Sequence, residues 1–121
     1  MLKSLSIGLT ALVALSQLAF LVLEMFFWDH PIGREVFDLT TEQSAASAVL
    51  AKSQGLYNGF LAAGLGWGLW MDRRDVKLFF LGCIVAAGVF GALTAKLSIL
   101  FVQAMPAAIA LLATHFAAHR R

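Results

Sequence analysis

The chain has 121 residues, of which 60% are hydrophobic and only 13% charged, with a net charge of +2. That balance leaves little material for a separate soluble domain, and so weak a charge argues against a nucleic-acid-binding face. The single cysteine, Cys83, excludes an intrachain disulfide.

Four apolar stretches follow one another: Leu5 to Trp28, Val49 to Met71, Val76 to Ala95 and Leu97 to Ala118. About 20 apolar residues carry a helix across a bilayer. The expected architecture is therefore all-α. It is an integral membrane four-helix bundle occupying residues 1–121 as one domain, with a short helix in the long first loop.

In the first stretch, Lys3 precedes the apolar run and Ala14-Leu15-Ser16 resembles a cleavage site. The run continues to Phe27, longer than a signal core, so it reads as a retained helix. Glu24 lies about five residues inside its end, or about 7 Å along a helix. A carboxylate there must face the bundle interior, water or a partner. Gln17 is seven positions earlier, two turns away on the same face.

The connection Asp29 to Ala48 is too short for its own core. Pro31 and Gly33 end the first helix. Thr40 and Gln43 have capping-box spacing, and the alanine-rich run from Ser44 to Lys52 predicts a short helix leading into the second stretch. That stretch opens with Gln54-Gly55-Leu56-Tyr57-Asn58-Gly59, where spacings of three and four put Gln54, Tyr57 and Asn58 near one face. Gly55 with Gly59, Gly64 with Gly68, and Ala87, Gly91 and Ala95 have the spacing of close helix contacts.

Lys96 and Gln103 flank the start of the fourth stretch. His115 and His119, four apart, suit two ligands on one metal, but a third ligand is missing and a solvated tail is the simpler reading. No metal site is expected.

With four spans, Lys3, Arg73, Arg74, Lys77, Arg120 and Arg121 share one side, against Arg34, Lys52 and Lys96 on the other. The excess places both termini in the cytoplasm and the chain in the cell (inner) membrane of a bacterium. Glu24, Gln54, Tyr57, Asn58, Lys96 and Gln103 then lie at the outer ends of the helices, where they are expected to converge.

Leu23-Glu24-Met25-Phe26 and the run Gln54 to Leu61 resemble DUF1304, a domain-of-unknown-function family of small bacterial membrane proteins. Gly91-Ala92-Leu93-Thr94 with Lys96, then Gln103 and Pro106, extend the resemblance over nearly the whole chain. It implies a four-span membrane protein and no established activity. Two departures matter: Ser16-Gln17 stand where an acidic residue and a histidine are expected, and Ser53 where asparagine is expected. No metal or haem site is carried over.

Three functions compete. In the first, a small, largely apolar molecule enters from the lipid bilayer and is bound or transformed. Glu24 acts as acid or base, Tyr57 and Asn58 orient the molecule, and Gln17, Gln54, Lys96 and Gln103 line the pocket. In the second, the polar groups only join helices or subunits of a homo-oligomer. In the third, the chain resembles small proton-coupled multidrug exporters in size, span count and helix-one carboxylate, although Glu24 lies away from mid-membrane.

Overall fold

A computed structural model describes residues 1–94 and 100–118, and the described residues are almost entirely helical. The helices are α1 (Leu2–Phe26), α2 (Pro31–Phe37), α3 (Thr41–Trp70), α4 (Arg74–Thr94), a π-helical turn (Leu100–Ala104) and α5 (Met105–Ala118). The all-α expectation holds. The first loop does hold a short helix, but at Pro31–Phe37, where Pro31 and Gly33 were expected only to break one; the run Ser44 to Lys52, expected as that short helix, is part of α3. Residues 95–99, where the third and fourth stretches were expected to meet, lie outside the described residues.

The chain forms two compact units: Met1–Leu15 with Leu61–Arg121, and Ser16–Phe60. In the first, α1, α3, α4 and α5 each contribute to one core of Val13, Leu65, Leu81, Ile84, Ala107 and Ala110. The hydroxyls of Thr10 and Thr114 meet within it at 3.3 Å. Gly88 lets α4 approach the π-helical turn, because a Cβ there would stand 2.8 Å from the Ala104 nitrogen. That turn ends at Ala104, two positions before Pro106. Proline has no N–H to continue the α-helical ladder and its ring crowds the preceding turn, a local cause for the wider winding.

The second unit holds the end of α1, all of α2 and the first turns of α3. Pro31 occupies the first turn of α2, where its missing N–H costs nothing, and His30 caps that helix by accepting the Ile32 N–H. Proline thus starts a helix here as well as following the end of one. Asp38 closes α2 in the left-handed conformation at φ 56°. The Asp29 carboxylate accepts from Arg34 at 2.9 Å and from the buried Ser44 at 2.7 Å, and Trp28 donates to Ser47 at 2.9 Å.

The capping box forms as the spacing predicts. Thr40 Oγ1 accepts the Gln43 N–H at 3.0 Å, and Gln43 Oε1 accepts the Thr40 N–H at 2.9 Å. Thr40→Ala is expected to cost about 1 kcal/mol locally. Hydrogen exchange should speed up in the first turn of α3 and leave α4 unchanged.

Helices α1 and α5 bury mainly small and polar residues and expose large apolar ones. In α1 the buried residues are Ser6, Thr10, Val13, Gln17 and Glu24, whereas Leu5, Leu12, Leu15, Leu18, Val22 and Phe26 are exposed. In α5, Ala107, Ala110, Ala113, Thr114 and Ala117 are inside and Ile109, Leu112 and Phe116 outside. Large apolar side chains pointing outward suit lipid, and polar groups in such a helix then turn inward. Among the described residues two helices are long and apolar enough to cross a bilayer, Leu2–Phe26 and Arg74–Leu93, which supports a membrane location. The apolar stretch Phe101–Ala117 is shorter, and the 30 residues of α3 are long enough but diluted by polar side chains.

Candidate functional site

The second unit places Glu24 at a seam between α1 and α3. On α3 the buried positions 51, 55 and 58 recur at helical spacing, the first two small residues and the third Asn58. A Cβ on Gly55 would stand 2.6 Å from Met25 Cγ and 3.2 Å from the Leu21 carbonyl oxygen, so glycine is what permits the approach. Into this seam the Asn58 amide donates a short hydrogen bond to Glu24 Oε1. Both residues are buried, Glu24 at 8% and Asn58 at 6% exposure.

Gln17 shares the buried face of α1 with Glu24, as their spacing predicts. It is 1% exposed, and among the described residues its Oε1 has no hydrogen-bond partner. Seven residues along a helix separate the two by about 10 Å. An orphaned carbonyl oxygen in a closely packed helix is costly, since a buried polar atom without a partner forfeits its hydration.

The expected convergence is narrower than the spacing suggested. Gln54 is exposed, and Tyr57 is 56% exposed with its ring against Phe60 at 6.0 Å between centroids. Neither joins Asn58 at Glu24, because each helical residue turns about 100° and the small-residue seam selects the Asn58 side of α3. Gln103 is half-buried in the π-helical turn and belongs to the other unit. Lys96 and His119 lie outside the described residues.

The first unit holds a second polar cluster. Lys3 and Lys77 both reach the Asp72 carboxylate, at 2.8 and 3.3 Å. Asp72 turns the chain between α3 and α4 at φ 50°. Hydrogen bonds from Lys3 and then from Lys77 hold its carboxyl below the usual carboxylate range. A carboxyl so depressed stabilises the fold above its ordinary pKa and loses that contribution as the pH falls through its folded value. The melting temperature of wild type is therefore expected to exceed that of Asp72→Asn near neutrality, and the gap to close as the pH drops below about 4. A constant gap throughout would remove the ion pairs from the account.

Arg74 Nη2 lies 2.9 Å from His115 Nδ1 in the same unit. They are 41 positions apart, so neither the basic run at 73–77 nor the spacing of His115 and His119 signals that they meet. Lys3 and Asp72 are 69 positions apart, so no local spacing could have revealed their meeting.

A family profile described as "Protein of unknown function (DUF1304)" matches residues 11–115. The chain is also similar to a protein of Lactococcus lactis subsp. lactis bearing the name "Uncharacterized protein YpaA". That relative is 30% identical over 116 residues, which cover 93% of this chain and 98% of its own. No solved structure matches.

Proposed function

This chain belongs to the DUF1304 family of proteins of unknown function, and on that premise we propose that it is a multi-pass membrane protein that binds a small, largely apolar molecule. The binding groups are Gln17 and the Glu24–Asn58 pair. The observation that carries this reading is the buried Gln17 Oε1, without a partner among the described residues, on the same α1 face as Glu24. An acceptor left empty at such a cost is accounted for by a ligand that brings the donor.

Gln17 Oε1 calls for a hydroxyl or an N–H on the ligand. About 10 Å of helix between it and Glu24 calls for an apolar body long enough to run along α1. In this reading all four apolar stretches cross the cell membrane with both termini cytoplasmic. Lys3, Arg73, Arg74 and Lys77, at the ends of α1, α3 and α4, supply the positive side. Glu24 stands two residues from the end of α1, away from the mid-membrane position that alternating access favours, so binding is preferred to export.

A structural role is the second reading, and the Gly55 approach with the Asn58–Glu24 bond favours it. Native mass spectrometry of protein extracted gently from its own membrane separates the two. Binding predicts a small molecule on wild type that is absent from a folded Glu24→Gln variant. No adduct on either, together with a fall in thermal stability or oligomer size in the variant, sinks binding and leaves the structural role.

A further inference from the structure

We propose that the recess between the first turn of α1, the α3–α4 turn and the last turns of α5 binds a phosphate group, carried by an anionic lipid headgroup or free in solution. The recess is lined by Lys3, Ser6, Asp72, Arg74, Lys77 and Thr114. All of these belong to one compact unit.

Charge is the first ground. Three cations face one carboxylate, because Arg73 and Asp75 neutralise each other through two hydrogen bonds of 3.0 and 2.7 Å. Asp72 is shared between Lys3 and Lys77, so the recess keeps a surplus of positive charge.

The state of the donors is the second. The Lys77 side chain is only 5% exposed, yet its Nζ has Asp72 at 3.3 Å, a long bond for a group with three N–H donors. Arg74 is engaged by His115 through Nη2, while its Nε is buried with no partner among the described residues. A buried guanidinium nitrogen and an under-used ammonium are a donor set awaiting an acceptor. The hydroxyls are already engaged, Ser6 with the Lys3 carbonyl at 2.7 Å and Thr114 with Thr10 at 3.3 Å, so the cations select the ligand.

A phosphate group supplies several acceptor oxygens and negative charge together, matching guanidinium and ammonium donors. Placement agrees. The helices Leu2–Phe26 and Arg74–Leu93, the two long and apolar enough to cross a bilayer, both begin at this recess. If they cross, Lys3, Arg74 and Lys77 lie at headgroup depth. This site shares no residue with the Gln17–Glu24–Asn58 group, so either proposal stands if the other fails.

The test is native mass spectrometry of the full chain in detergent titrated with dioleoylphosphatidylglycerol, beside thermal melting with and without inorganic phosphate. Arg74→Gln and Lys77→Met are expected to weaken the response about tenfold, the effect of one charge-assisted hydrogen bond. Asp72→Asn is expected to strengthen it, since the competing carboxylate is gone and asparagine tolerates the left-handed turn. Lipid retention that follows this order assigns a headgroup. A phosphate-induced rise in melting temperature that follows it assigns free phosphate. Equal lipid retention and equal phosphate response in wild type, Arg74→Gln and Asp72→Asn overturns the site, whether or not Lys77→Met folds.

Discussion

Asn58→Leu is expected to destabilise the protein by about 2 kcal/mol, because it removes the donor and leaves the Glu24 carboxyl buried. Both groups sit where water has little access, so the carboxyl cannot simply rehydrate. The mean interhelical hydrogen bond in a membrane contributes only about 0.6 kcal/mol, since the unfolded helices also find partners. A carboxyl left without its Asn58 donor stands well above that mean, because it is buried away from water. The double variant Glu24→Met/Asn58→Leu removes both polar groups together and is expected to recover most of the loss. Unfolding of wild type, both single variants and the double variant in one detergent gives the coupling directly. An additive double variant would mean that Glu24 and Asn58 are stabilised separately, and the seam would lose its polar tie.

Much of the second unit was written in local spacing. Thr40 and Gln43 announce the start of α3, and the seven-residue step from Gln17 to Glu24 puts both on the buried face of α1. Local spacing could not say which side of α3 faces inward. Gln54, Tyr57 and Asn58 are neighbours by the three-and-four rule, but the rule does not fix where the face is centred. The small residues at 51 and 55 decide that, because helices meet where side chains are short. Read first, they would have selected Asn58 and turned Tyr57 outward.

Pro31 was misleading for a different reason. Proline ends a helix only from its interior, and at the first turn it belongs to the helix that follows. The basic recess lay beyond any local pattern. Lys3 and Lys77 stood in the sequence only as positive charges at stretch ends, and their meeting with Asp72 and Thr114 depends on how distant helix ends pack.

Gln17→Met is expected to make the protein more stable by about 1–2 kcal/mol while abolishing ligand binding. Methionine has nearly the length and volume of glutamine, with a flexible thioether that can occupy the same packed space without a strong acceptor. The substitution removes an orphaned carbonyl oxygen from a position that is 1% exposed, so the folded state loses an unfavourable group and little packing. Residues kept at a cost to stability mark places where the site asks for something the fold does not. Opposite signs for stability and binding separate ligand capture from a helix tie, since a tie would lose stability when cut. The readings are the detergent melting temperature and the small-molecule adduct seen by native mass spectrometry on wild type and variant side by side. A destabilised Gln17→Met that keeps its adduct would place Gln17 in the packing alone and move the binding group toward Glu24.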